Sequence, residues 1–244
     1  MCRWRRRSVW RSNISQATRD RQSVSSVYDP WPDAAPWVED YFIRNTNYYH
    51  YPMTSRFDDW AEIYDSVYSY LKDDVAFYVE EASSVDGPVL ELGCGTGRVS
   101  IPMAGTGSHV VGLDSSHEML LKACGKVDGV VQGKGSISLI RGDMRELPFG
   151  QLFSLIVIPF RGFLSLLSVE AQERTLNEIR THLAPGGRLV FNVFVPDLNM
   201  LVQEGDVPYH FRDVTDPQMG TTLVLWHQSS YDNYNQIISV RLIV

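Results

Sequence analysis

From Phe57 onward the apolar positions fall into two alternating rhythms. Ala61, Tyr64, Val67, Tyr68 and Leu71 recur at steps of three and four, which lays them along one face of a helix. A second helix follows over Val75–Ala82, and Asp86-Gly87-Pro88 makes a turn before the short apolar strand Val89–Leu92. Strand character returns at His109–Leu113, Ser138–Ile140, Leu152–Ile158 and Arg188–Val195. Between these lie helical stretches at Arg98–Ala104, which Pro102 limits or kinks, at Ser116–Cys124, and at 168–184, where Val169, Leu176, Ile179 and Leu183 keep the period. Pro185-Gly186-Gly187 is expected to stop the last helix. Strands alternating with helices predict an α/β fold: a doubly wound, mainly parallel sheet with right-handed crossovers and helices on both faces. The near-continuous apolar strands agree, because both faces of such a sheet are covered.

The ends of the chain carry other patterns. Residues 1–26 are rich in Arg and Ser without helical period, and residues 28–52 hold Pro30, Pro32, Pro36 and Pro52 among many aromatics. Residues 1–52 therefore read as an irregular extension, open to three readings: a transit peptide, an exposed arm, or translation from upstream of a start at Met53. Residues 53–195 form the predicted sheet domain. Residues 196–244 form a C-terminal antiparallel segment, with strands at Leu223–His227 and Ile237–Val244 joined around Asn233-Tyr234-Asn235. The chain stops inside an apolar run, which leads us to expect a fragment.

Charge narrows the partners. The net charge of −7 divides into +6 on residues 1–26 and −13 on the rest. An acidic body disfavours nucleic acid, whose backbone is bound by basic neutralisation. The longest apolar run, Leu152–Phe160, is interrupted by Ser154 and is far short of the roughly 20 residues of a spanning helix. Three separated cysteines and six scattered histidines offer neither a disulfide framework nor metal-ligand spacing, so we expect a reducing cytoplasmic setting, no metal and no membrane.

The chemistry concentrates after the first strand. In Glu91-Leu92-Gly93-Cys94-Gly95-Thr96-Gly97 the glycines permit a tight bend and close approach of backbone to a ligand. Asp114 closes the second strand, twenty-one residues after Gly93, where a carboxylate can accept from both hydroxyls of a ribose. Either feature alone is often packing or a turn. In this order and spacing they point together to a nucleoside-containing cofactor.

These residues resemble the class I S-adenosylmethionine-dependent methyltransferases, small-molecule branch. Val89–Gly97 looks like the first motif of that family and Val111–Leu120 like the second; Arg141–Met144 and Leu183–Leu189 look like two more. Trp60-Ala61-Glu62-Ile63-Tyr64-Asp65 is similar to its lead-in helix, so the likeness covers roughly residues 56–195. A nicotinamide fold spaces its glycines GxGxxG, whereas residue 96 here is Thr and residue 97 Gly. The resemblance implies S-adenosylmethionine as cofactor. It places the backbone of Gly93, Cys94, Gly95 and Gly97, following Glu91, against the methionine portion. It sets Asp114, with Ser115 beside it, on the ribose and Met119 near the adenine. Asp143 and the Met144 N–H would lie on the adenine edge, with Tyr64 and Tyr68 over the sulfonium. For the tyrosines and Met119, core packing is an equally good reading.

Methyl transfer from a sulfonium is an in-line displacement whose leaving group needs no proton, so alignment and exclusion of water matter most. No residue is forced to be a catalyst, and a small-molecule acceptor is expected. Phe160 and Arg161 after the fourth strand, and His210 and Tyr231 in the C-terminal segment, are the candidate acceptor contacts; Arg161 serves equally well at a surface, and isolated histidines are more often structural. The resemblance also implies a sixth strand, a helix and a reversed seventh strand, and likens residues 221–244 to an insertion that precedes them. A nicotinamide-dependent oxidoreductase and a non-catalytic cofactor-binding protein are the alternatives.

Overall fold

A computed structural model describes residues 57–127, 135–195, 207–216 and 219–243. Residues 1–56, and with them the expectations for the extension, lie outside the described residues. A 3-10 turn at Asp58–Trp60 leads into α1 (Ala61–Val67), followed by α2 (Val75–Ser83), β1 (Val89–Leu92), α3 (Ser100–Gly105), β2 (His109–Asp114) and α4 (His117–Val127). Then come β3 (Ser136–Arg141), β4 (Phe153–Ile158), a 3-10 turn at Gly162–Ser165, α5 (Val169–His182) and β5 (Leu183–Phe191). Three further strands, β6 (Tyr209–Thr215), β7 (Thr222–Asp232) and β8 (Ile237–Ile243), close the described chain.

The main sheet runs β3-β2-β1-β4-β5 with every pairing parallel. The chain winds outward from β1 through β2 to β3, then returns to place β4 on the other side of β1. That reversal opens a crevice beyond the carboxyl ends of β1 and β4, the place where doubly wound sheets bind ligands. Alternation sends Leu90 and Leu92 into one core with Val111, Leu113, Ile156, Ile158 and Ile179. Val89 packs on the opposite face with Val110, Leu155 and Val157 against Tyr78, Val99 and Met103. The doubly covered α/β sheet predicted from the pattern is thus present.

Four details differ from the pattern. The helical stripe stops at Val67, because Tyr68 to Lys72 turn back on themselves and the Leu71 carbonyl accepts from Arg98 at 3.1 Å. α5 already ends at His182, so Pro185-Gly186-Gly187 falls inside β5 instead of stopping the helix. β5 ends at Phe191 instead of Val195, and its ladder slips between Phe153 and Leu155 before settling at Arg188, with Gly186 at φ 78°. At the end of the described strand order, β5 is also less covered than expected, with Phe191 40% exposed. Ser168 caps α5, its hydroxyl accepting from the Ala171 N–H at 3.2 Å.

The antiparallel sheet has three strands where the pattern predicts two, in the order β6-β7-β8. β6 hides because a bulge between His210 and Arg212 breaks its period of two. Val214 and Leu225 bury against Val67 of α1 and carry the sheet onto the main domain. Among the described residues no helix is long and apolar enough to cross a membrane.

Candidate cofactor site at the carboxyl edge of the sheet

Beyond Leu92 the backbone turns sharply through Gly93 (φ 73°), Gly95 (φ 53°) and Gly97 (φ 79°), a region that disfavours side chains. The N–H groups of Gly93 and Cys94 both donate to the Leu113 carbonyl, at 2.8 and 3.1 Å, and so tie the bend to β2. The Gly95 N–H donates to Asp114 Oδ2 at 2.7 Å, and the Ser116 N–H to Oδ1 at 2.8 Å. Bend and carboxylate therefore face each other. Burial raises the pKa of Asp114, opposed by the Ser116 and Gly95 N–H groups, while the negative charge of Asp58 adds to the rise. A carboxylate offers about four lone-pair positions, so acceptor capacity remains beyond these two bonds. A Cβ on Gly95 would meet nothing within 4 Å: the bend is bare where a ligand would lie. This fits a cofactor held by close backbone and a carboxylate.

Several expected residues prove to support the site from beneath. Glu91 is 2% exposed and accepts a hydrogen bond from the Ser100 hydroxyl at the start of α3. Burial pushes its carboxyl up to about 8, against the bond from Ser100 and the charge of Arg98. Cys94 is buried with its Sγ over Gly112, and burial raises its thiol pKa, so only its backbone borders the bend. Met119 is 2% exposed and packs in the core, one of the two readings open for it from the sequence.

A lid covers the bend, and polar ties set its position. Asp58 accepts from the Ser116 hydroxyl at 2.5 Å and from the Glu118 N–H at 3.2 Å. Glu62 pairs with Lys122. Asp65 accepts from Thr96 Oγ1 at 2.6 Å and pairs with Lys126 at 2.5 Å, whose ammonium also reaches the Thr96 carbonyl at 3.0 Å. Arg98 grips Asp74 with both terminal nitrogens, at 2.5 and 2.8 Å. α1 is thereby laid across the glycine bend. Its Tyr64 ring lies 4.8 Å from that of Tyr68, which meets Phe160 edge-on at 5.2 Å. Burial raises the pKa of Tyr64, and Asp114 is among the charges it feels. Tyr64, Asp65 and Tyr68 of this region line a cavity of about 570 Å³ together with Leu71, Arg98 and Lys126.

At the end of β4, Phe160 (φ 50°) and Arg161 (φ 65°) are consecutive left-handed residues that are not glycine. Such backbone costs about 1–3 kcal/mol per residue and persists only where neighbours fix it. Here the Arg161 N–H donates to Asn192 Oδ1 at 2.9 Å and the Gly162 N–H to the Pro159 carbonyl at 3.1 Å. The Phe160 ring carries Arg98 at 5.6 Å and Arg161 at 5.8 Å. Arg98, Asp74 and Asn192 escape a reading of sequence, since no local pattern marks their partners.

Past β3, the Gly142 N–H donates to the Asp114 carbonyl at 2.9 Å and sets the next turn beside it. Met144 Cε lies 3.7 Å from the place of a Gly93 Cβ. Burial pushes Asp143 up, but the bonds and charge of Arg145, with the charge of Arg174, hold it below the ordinary carboxylate range. The Ser115 carbonyl accepts from Arg141 Nε at 3.2 Å.

Two expected acceptor contacts are not brought to this place. His210 pairs across β6 and β7 with Trp226, one residue out of phase with buried Leu225, so it faces away from α1. It is exposed and bonds Asp213 at 2.8 Å. Tyr231 lies six residues along β7 from Leu225, roughly 20 Å at the rise of a strand. Arg212 reaches the lid instead: its guanidinium lies 3.8 Å from the centre of the Tyr70 ring and donates to the Val67 carbonyl at 3.4 Å.

A doubly wound sheet with a bare-backbone bend facing a carboxylate defines a Rossmann-like nucleoside-cofactor protein. Residues 89–187 match the family described as a methyltransferase domain. The cypemycin N-terminal methyltransferase of a Streptomyces species is 31% identical over 196 residues, covering 78% of this chain and 75% of that protein. The CcbJ methyltransferase of Streptomyces caelestis superimposes with a TM-score of 0.57 at 27% identity, over 70% of each chain. DesVI of Streptomyces venezuelae shares the fold at 20% identity, with a TM-score of 0.56 over 75% of this chain and 80% of its own. The chain belongs to the class I S-adenosylmethionine-dependent methyltransferases.

Proposed function

We propose that this protein moves a methyl group from S-adenosylmethionine to a nucleophilic N, O or C atom of a small-molecule acceptor. The observation that carries the reading is the Gly95 N–H meeting Asp114 Oδ2 at 2.7 Å beside an open Cβ position. When bound, S-adenosylmethionine supplies a methyl on a sulfonium, and the sulfur leaves without a proton. Asp114 accepts from the ribose hydroxyls with its spare lone pairs, with Ser115 following it. The backbone of Gly93, Cys94 and Gly95 borders the methionine portion, while Gly97 and Glu91 hold the bend in shape. Asp143 accepts from the exocyclic amine of the adenine, and the Met144 N–H serves a ring nitrogen. Tyr64 and Tyr68 exclude water and offer ring faces to the cation, favourable by about 0.5–2 kcal/mol.

Residues 53–195 in this reading hold the cofactor, and residues 196–244 cover the acceptor side. Phe160 and Arg161 line that side, Arg161 for an anionic group. Among the three acceptor atoms we favour nitrogen, the relative at 31% identity being named for an N-terminus. Calorimetric titration of the purified chain with S-adenosylhomocysteine and with NAD tests the cofactor. Binding of the former alone supports the reading; NAD binding without it overturns it. A screen of amines, alcohols and activated carbon acids with methyl-labelled cofactor then tests the transfer, and no labelled product from any of them counts against it.

A further inference from the structure

We infer that Arg145 is a positioning residue for purine selection: three of its N–H donors, one shared between both oxygens, hold the Asp143 carboxylate in the plane from which it accepts an exocyclic amine. The Arg145 backbone N–H donates to Asp143 Oδ1 at 2.8 Å. Its Nε is shared between Oδ1 at 2.9 Å and Oδ2 at 3.0 Å, and Nη2 donates to Oδ2 at 2.5 Å. A fork of this kind fixes the plane of a carboxylate, which a lone ammonium does not. The turn that carries the pair is fixed as well. Glu146 N–H donates to the Asp143 carbonyl at 3.0 Å, Arg174 of α5 pairs with Glu146 at 2.9 Å, and the Leu147 N–H donates to Glu178 at 3.0 Å. Held ionised and fixed in plane, Asp143 rewards a donor and repels a carbonyl. A purine bearing a 6-amino group meets that demand and a 6-oxo purine does not.

Stability gives the pair little reason to exist. The Arg145 side chain is 44% exposed, and an ion pair so open to water contributes little to folding. Its place beside the bend, through Gly142 bonded to Asp114, connects it to the site instead.

The inference rests on the reading of Asp143 as the adenine contact, and the test separates the two. S-adenosylhomocysteine and S-inosylhomocysteine, which differ in the 6-amino and 6-oxo groups, are titrated against the wild-type chain, Asp143→Asn, Arg145→Ala and Arg145→Lys. The wild type is expected to prefer the adenosyl compound by roughly 10- to 100-fold, the worth of one hydrogen bond to a charged group. Asp143→Asn should abolish most of that preference. Arg145→Ala should cut it at least threefold with the unfolding midpoint unchanged, and Arg145→Lys should fall between. A preference unchanged in Arg145→Ala but lost in Asp143→Asn overturns the role of Arg145 and leaves the adenine contact standing. Equal weakening of both ligands in Arg145→Ala likewise overturns it, as a merely structural effect. A preference unchanged in Asp143→Asn overturns both.

Discussion

An alanine methyl at Gly95 would meet no atom within 4 Å, whereas at Gly97 it would lie 2.7 Å from Ile101 Cδ1 and 3.3 Å from the Ala123 methyl. Both positions have positive φ, so both substitutions strain the backbone by about 1–3 kcal/mol. Only the second also overpacks the junction of α3 with α4, adding about 1–3 kcal/mol. Gly97→Ala is therefore expected to be the less stable variant in thermal unfolding. Gly95→Ala should keep more of its stability yet lose affinity for S-adenosylhomocysteine tenfold or more, because its methyl enters the ligand's space. The reverse ranking in either assay would show that the bend serves packing alone. Asp114→Ala completes the comparison. Two hydrogen bonds to a charged group, each worth roughly 1.5–3 kcal/mol, predict a loss of affinity of about a hundredfold or more. A dissociation constant unmoved by that change would take Asp114 out of the site.

Among the elements, the lid depends most on contacts far apart in sequence. Arg98 reaches back to Asp74 and Leu71 and forward to the Phe160 ring, so one guanidinium joins the lid, the glycine bend and the end of β4. Arg98→Ala is expected to raise amide hydrogen exchange across residues 61–75 by about tenfold or more, since charged hydrogen bonds of roughly 1.5–3 kcal/mol each are lost. Exchange in β1 should not change. Equal acceleration in both would mean global destabilisation and would remove Arg98 from its place as the lid's anchor. These ties also mark where sequence stops being legible. β1, β2 and β4 announce themselves through runs such as Leu155–Ile158, and the bend through its glycines, because both signals are local. Asp58 with Ser116 and Glu62 with Lys122 are about sixty residues apart, and no periodicity links them. β6 lost its rhythm to a bulge, and the left-handed Phe160 and Arg161 lack the glycine that advertises such a turn. His210 was out of reach for a related reason: one slipped residue reverses the face a strand side chain occupies.

For the molecule as a whole, two carboxyl groups tie folding to pH through their protonation, Glu91 buried within the sheet and Asp114 at its carboxyl edge. Burial is the leading cause of the raised pKa at both Glu91 and Asp114, and Glu91 rises from an ordinary 4.5 to about 8. Between those two values the folded chain holds a proton at Glu91 that the unfolded chain has released. Stability from this group is therefore complete below pH 4.5 and drains away as pH rises toward 8, with a slope of at most about 1.4 kcal/mol per pH unit. Asp74 acts in the opposite sense: its bonds to Arg98 lower it, so its contribution is present above pH 4 and lost in stronger acid. Together with the two raised carboxyls it predicts a stability maximum on the acid side of neutrality. Glu91→Gln keeps an oxygen for the Ser100 hydroxyl and removes the titration. In urea unfolding at pH 5, 6.5 and 8 it should flatten most of the wild-type decline, leaving the smaller part due to Asp114. A wild-type chain equally stable at pH 5 and 8, or a Glu91→Gln chain with the same decline, would mean that Glu91 is ionised in the fold, with Arg98 nearby rather than a proton balancing its charge.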